Sequence, residues 1–350
     1  MRDRTVTPEL PAAVQDPLGY RRIRELPVLV LFPHNRCNCR CLMCDIWKIS
    51  EVREITAKDL EPHLASLRAL KVRWVVFSGG EPLMHSDLAS LAAVLRPEGI
   101  RLTLLTSGIL LEQRSATLAS CVDDVIVSLD GPPEVHDAIR AVPGAYRRLE
   151  RGICALRKLR PQLLVQGRCT VQKTNLRELR ATVRTARELK LNSISFLAAD
   201  VTSRAFNRPH GWSQERQAGT ALNAIDIEQL DFEIETLIRE FQRDIECGFV
   251  SENPEKLRRI VLHFRAHFGQ VQPVAPRCNA PWVSAVVESD GTVRPCFFHN
   301  PIGNIHVSAI SAILNSDAAM KFRRGLNVAD NPTCRQCVCS LYLESGPAKS

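Results

Sequence analysis

Aromatic side chains are scarce, at 5% of 350 residues, with only three Tyr and four Trp. A nucleic-acid binder needs a clustered basic stripe interleaved with such rings. Here the arginines are scattered along helical stretches, so no nucleic-acid partner is expected. No apolar run approaches the roughly 20 residues of a membrane-spanning helix, so no membrane partner is expected either. A signal-peptide pattern is also lacking before the first cysteines, which argues against a disulfide framework and makes a cytoplasmic location the default expectation. Repeats and low-complexity segments are absent. What remains is an ordinary globular composition, 45% hydrophobic and 24% charged, enough for one large domain or one large and one small. The formal charge of +8 is compatible with an anionic small molecule bearing phosphate or carboxylate.

Cysteine breaks this plainness, with thirteen in the chain. Four fall in Cys37-Asn38-Cys39-Arg40-Cys41-Leu42-Met43-Cys44 and five between Cys278 and Cys339. Cys121, Cys154, Cys169 and Cys247 are isolated and read as small buried hydrophobes. Cys37, Cys41 and Cys44 form a C-x3-C-x2-C triplet just after the apolar run Val28–Phe32. Three thiolates on one short loop can hold three irons of a [4Fe–4S] cube and leave the fourth open to a non-protein ligand. A structural zinc site would need a fourth ligand, Cys39 or His34, and neither gives the usual pairing. Cys39 is taken as a spare thiol.

From Val28 to Ala199 short apolar runs alternate with amphipathic stretches, the pattern of a parallel βα array. Strands are expected at Val28–Phe32, Val72–Phe77, Arg101–Thr106, Asp124–Ser128, Leu163–Val171 and Ser193–Leu197. Helices are expected at Leu88–Leu95, Arg147–Leu159 and Leu176–Leu189. In such arrays the chemistry gathers on loops at the carboxyl ends of the strands, and the cysteine loop follows strand one. Asp200–Gly219 reads as a long loop. Two core-packing helices follow, one through Ile227–Phe241 and one capped by Asn253-Pro254. The expected division is a loose arm over 1–22, the array over 23–200, a helical linker over 201–275, a second cysteine domain over 276–343 and a tail over 344–350.

In that second group, Ser289-Asp290-Gly291-Thr292 is a hairpin turn with strand-like residues on both sides. A hairpin brings Cys278 and Cys296 together, and Cys334-Arg335-Gln336-Cys337 adds a C-x2-C pair, with Cys339 two residues on. Ile310–Leu326 between them reads as helical. Four thiolates at these spacings suit either an iron–sulfur cluster or tetrahedral zinc.

With Gly79-Gly80-Glu81-Pro82 after strand two, the chain resembles the radical S-adenosylmethionine (SAM) superfamily, and its C-terminal stretch resembles that family's SPASM/twitch extension. The resemblance implies an α/β fold, a partial (β/α)6 barrel with a small C-terminal hairpin-plus-helix iron–sulfur domain. It implies a [4Fe–4S] cluster on Cys37, Cys41 and Cys44 with SAM at its open iron. One auxiliary [4Fe–4S] cluster would sit on Cys278, Cys296, Cys334 and Cys337, with Cys339 as an alternative ligand. Gly79, Gly80, Glu81, Pro82, Ser107, Ser128 and Arg168 would contact SAM, with Glu81 meeting its amino group, Arg168 its carboxylate, and Trp47 stacking near the adenine. Ser128 begins the run Ser128-Leu129-Asp130-Gly131 to Arg140, which also looks typical of the family. The expected activity is a radical oxidoreductase that dehydrogenates a C–H or C–OH position of a small hydroxylated molecule such as a sugar or cyclitol. Alternatives are a peptide-modifying enzyme, an epimerase using Cys39, Cys169 or Cys339 as hydrogen donor, and a non-enzymatic iron–sulfur or zinc module. Partners would be a small-molecule or peptide substrate and a low-potential electron donor such as flavodoxin or ferredoxin. Phe297 after Cys296, where the sulfatase-maturing branch has aspartate, argues against that branch.

Overall fold

The computed structural model describes residues 22–344. The arm expected over 1–22 lies outside them except for its last residue, as does the tail beyond residue 344. Six parallel strands follow in chain order: β1 (Val28–His34), β2 (Trp74–Gly79), β3 (Arg101–Thr106), β4 (Asp124–Ser128), β5 (Leu164–Val171) and β6 (Ser193–Ala198). Each is separated from the next by helix, as short parallel strands require. Along β5 fully buried residues alternate with partly exposed ones. Val165, Cys169 and Val171 face the helical layer and join the main core, while Gln166, Arg168 and Thr170 point into the barrel lumen. Cys169 is therefore sealed in the outer layer, where Asn175 donates to its sulfur at 3.5 Å. That placement removes it from the hydrogen donors weighed for an epimerase.

Three further strands extend this sheet: β7 (Ser284–Val287), β8 (Thr292–Arg294) and β9 (Gly303–Asn304). The order is β6-β5-β4-β3-β2-β1-β7-β8-β9. β7 lies parallel to β1, with Val28 opposite Ser284 and Leu31 opposite Val287, so the C-terminal unit is continuous with the barrel. The expected hairpin is β7–β8, and its turn uses Gly291 at φ +81°, a conformation glycine adopts without steric cost.

The two helices of the linker form as Ala224–Glu240 and Pro254–His267. Asn223 caps the first through a reciprocal box with Asp226, and Asn253 caps the second at Lys256 N. Between them, Phe249 and Ser251 hydrogen-bond to Ile194 and cover the open edge of β6, which would otherwise present unpaired backbone groups. Ile310–Leu326 is not one helix: it breaks at Asn315 into Ile310–Leu314 and Asp317–Gly325. Ser316 caps the second piece at Ala319 N, and Asn315 instead ties its side chain to both backbone groups of Ile23. The helix Leu111–Cys121 was not anticipated; nor were the short helices Pro133–Arg140 and Gln214–Ala218. Among the described residues no helix is long and apolar enough to cross a membrane.

Candidate active site

The Cys37–Cys44 loop leaves β1 at its carboxyl end and is held from two sides. On one, Arg40 N and Leu42 N donate to the carbonyls of Arg140 and Ile139, both at 3.0 Å. On the other, the segment after β6 folds over it. Asp45 N donates to Phe206 O at 3.3 Å, Trp212 Nε1 to Asp45 Oδ2 at 2.6 Å, and Arg216 to Leu42 O at 2.8 Å. Arg208 fastens this contact. It is only 2% exposed, pairs with Asp200 Oδ2 at 3.2 Å, donates to Met43 O and lies 3.7 Å from the Trp212 ring. The stretch expected to be a long loop is thus the outer clamp of the cysteine loop. Burial pushes the Cys44 thiol up to about 12, so the metal-free loop holds protons that a metal would displace. Trp47 donates to Cys44 O at 2.9 Å, with Arg40 and Lys48 near its ring.

The turn after β2 is shaped by backbone proximity. Gly79 has φ +97°, and a Cβ at Gly80 would lie 2.2 Å from Arg36 O, so glycine is required at both. Glu81 N donates to Arg36 O at 2.7 Å, docking the turn on the cysteine loop. The Glu81 side chain is 1% exposed. Its Oε1 accepts from Thr106 Oγ1 at 2.7 Å and Leu83 N at 3.1 Å. Its Oε2 accepts from Ser107 N at 2.7 Å and Ser107 Oγ at 2.6 Å. A carboxylate offers about four lone-pair sites, and this chain's own donors take them. The Asn38 side-chain amide lies 3.1 Å from Ser107 Oγ, so β2, β3 and the cysteine loop meet around this one carboxylate.

Ser128 and Arg168 are register partners on β4 and β5, and Arg168 Nε donates to Ser195 Oγ at 3.4 Å. They form a polar step of the lumen wall. Four partly exposed phenylalanines pack together. Phe297 packs edge-on against Phe32 at 5.5 Å, Phe206 at 4.9 Å and Phe298 at 5.3 Å. Phe32 comes from β1, Phe206 from the clamp, and Phe297 and Phe298 follow Cys296. In a chain so poor in rings, this concentration lies between the two cysteine groups.

The second group also assembles. Cys278, Cys296, Cys334, Cys337 and Cys339 line one small cavity with Phe298 and His299. His299 Nε2 lies 3.5 Å from Cys334 Sγ, and Cys337 Sγ donates to Cys339 O at 2.6 Å. Burial raises the Cys296 thiol to about 12 and Cys334 to about 11. Among the described residues no three or more Cys, His, Asp or Glu side chains converge as ligands of a single ion. Cys339 is within electrostatic reach of Arg168 and Asp200.

Sequence reasoning placed the cysteines and the glycine turn but missed His299, the Arg208 clamp and the phenylalanine patch. Arg140 was quoted only as part of a run. It lies against the first loop, with Nη1 donating to Cys41 Sγ at 3.5 Å. The one available signal was that run itself, whose Asp130 and Arg140 are charged yet buried.

Comparison with known proteins agrees with this geometry. Residues 31–200 match the radical SAM superfamily model, and residues 278–338 match SPASM, an iron–sulfur cluster-binding domain. The Fe-coproporphyrin III synthase of Methanosarcina barkeri is 29% identical over 333 residues, 89% of this chain and 80% of that protein. The AdoMet-dependent heme synthase of the same organism is 34% identical over 158 residues, 44% of this chain and 45% of that one. Streptococcus suis SuiB bound to its precursor peptide SuiA superposes with a TM-score of 0.63 over 92% of this chain and 73% of its own, at 15% identity. Two cysteine sites on one continuous sheet, matched by two domain models, identify the chain as a radical SAM superfamily enzyme with a C-terminal SPASM/twitch domain.

Proposed function

We propose that this enzyme is a radical SAM oxidoreductase whose substrate is a large planar tetrapyrrole, modified at a peripheral C–H bond. The observation that carries the reading is the phenylalanine patch of Phe32, Phe206, Phe297 and Phe298, set between the two cysteine groups. Aromatic faces and edges favour a conjugated ring over a sugar or cyclitol, whose hydroxyls would need a ring of donors and acceptors there. The names of the relatives point to the same chemical class. The positive charge of the chain suits the carboxylates such a macrocycle carries.

Cys37, Cys41 and Cys44 would hold the first cluster, and Cys278, Cys296, Cys334 and Cys337 the auxiliary one, leaving Cys339 as a spare thiol beside it. The backbone of Gly79 and Gly80, with Ser128 and Arg168, would hold SAM, the guanidinium taking its carboxylate. Pro82 opens the short helical turn behind that backbone, and Glu81 and Ser107 position the turn from beneath. Bound there, these cofactors supply a carbon-centred radical able to abstract hydrogen and an acceptor for the electron left behind. The protein's own part is to seat the substrate on the phenyl patch, to close the first loop with Arg208 and Trp212, and to keep water from the lumen.

Deoxyadenosine release by reconstituted enzyme tests the substrate class, with an iron coproporphyrin, an aminocyclitol and a cysteine-containing peptide offered separately. Stimulation by the porphyrin alone supports the reading. Stimulation by the cyclitol or the peptide, with none by the porphyrin, rejects it.

A further inference from the structure

The run from Ser128 to Arg140 contributes more than one serine. Asp130 is fully buried at the end of β4. Its Oδ2 accepts from Arg140 Nε at 2.7 Å and Nη2 at 2.6 Å, while Oδ1 accepts from Thr170 N at 2.9 Å. Asn175 donates to the Asp130 carbonyl at 2.8 Å. The carboxylate is therefore fixed, and it fixes the guanidinium in turn. The nitrogen left over, Nη1, points at Cys41 Sγ at 3.5 Å. Arg140 is 8% exposed, so solvent ions screen this contact little. Its own carbonyl accepts from Arg40 N at 3.0 Å, which sets the register of the cysteine loop against the charge.

We infer that Arg140, oriented by Asp130, is a positioning residue for the first cluster that makes the cluster easier to reduce. This rests on the radical SAM reading of Cys37, Cys41 and Cys44. One-electron uptake adds a negative charge shared with the ligand sulfurs. Hydrogen bonds to those sulfurs and burial are levers that set a cluster's potential. A cation donating to Cys41 stabilises the reduced state more than the oxidised one. Asp130 opposes this from the far side of the guanidinium, so the nearer positive charge dominates at the sulfur. Arginine is needed because its fork bonds carboxylate and sulfur together, which a lysine ammonium cannot do in the same geometry. An ion pair serving stability alone gains nothing from a third nitrogen aimed at a ligand, and buried pairs are poor stabilisers compared with apolar packing.

The test is a redox titration of the reconstituted enzyme followed by electron paramagnetic resonance, for wild type, Arg140→Lys and the charge-balanced double variant Asp130→Asn/Arg140→Gln. The electron-uptake constant of the first cluster is expected to fall at least about tenfold, a midpoint lower by about 59 mV for one electron. The auxiliary cluster's midpoint should not move. The double variant leaves no charge unpaired, so it keeps the test valid if Arg140→Lys misfolds, as judged by circular dichroism. An unchanged midpoint in either folded variant overturns the inference, even where thermal stability has dropped, because that is the mark of a structural pair. Absence of the first cluster from wild type would instead overturn the family reading.

Discussion

Replacing Glu81 with alanine should weaken the fold before any cofactor is added. The carboxylate accepts four hydrogen bonds from Thr106, Leu83 and Ser107 at 2.6 to 3.1 Å. Hydrogen bonds to charged groups contribute about 1.5–3 kcal/mol each, and an abandoned buried donor costs about 1–3 kcal/mol. These terms are not additive. Loss of the two Ser107 contacts alone puts the cost at about 3–6 kcal/mol. Urea unfolding of the metal-free protein reads this directly. Glu81→Gln should recover part of the loss, since its one oxygen still accepts while its amide nitrogen faces donors. SAM affinity of the reconstituted variant should fall as well, because the Gly79–Gly80 backbone is docked on the same network. If Glu81 instead meets the SAM amino group directly, the metal-free stability of Glu81→Ala will equal wild type. Its SAM affinity alone would then drop, by roughly ten- to a hundredfold. That pattern would refute the positioning role.

Other outcomes follow from the same geometry. Triple replacement of Cys37, Cys41 and Cys44 by alanine should abolish deoxyadenosine formation yet leave the auxiliary cluster's absorbance, since the second group shares no ligand with the first; loss of both clusters would contradict separate sites. Folded Cys334→Ala should still cleave SAM but yield little oxidised product, and full product would remove the auxiliary cluster from the electron path. Gly80→Ala should lose SAM binding, because its Cβ would sit 2.2 Å from Arg36 O; retained affinity by titration would show that the turn can shift. Burial lowers both His136 and His263 from 6.5 to about 4. Their contribution to stability is complete above pH 6.5 and drains away as pH falls toward 4, at about 1.4 kcal/mol per pH unit for each. Urea midpoints that stay flat between pH 7 and 5 would argue against buried neutral rings.

Much of the barrel was legible because its signals are local. The ranges expected for β3 and β4 coincide with the strands that form, and the Asp290-Gly291 turn marked the β7–β8 hairpin. Asn253-Pro254 marked a helix start for the same reason, a cap and a proline side by side. What escaped the sequence acts over long separations. Arg140 and Cys41 are 99 residues apart, Arg208 and Met43 are 165 apart, and nothing in either local pattern names the other. The pairing of β7 with β1 was hidden likewise, since strand composition does not specify a neighbour 256 residues away (Val28 with Ser284). Ile310–Leu326 looked continuous by periodicity, yet Asn315 prefers its contacts to Ile23, and Ser316 restarts the helix. The glycine turn was visible, but the four donors around Glu81 come from the turn and from β3 and the residue after it, and only the folded chain shows them meeting.

Iron and sulfide analysis of the anaerobically reconstituted wild-type chain, with zinc measured in the same sample, tests the central claim most directly. Two cubes predict about eight irons and eight sulfides per chain, with dithionite-dependent release of deoxyadenosine. Four irons with one zinc would reduce the second site to a ribbon, and zinc without iron would contradict the account outright.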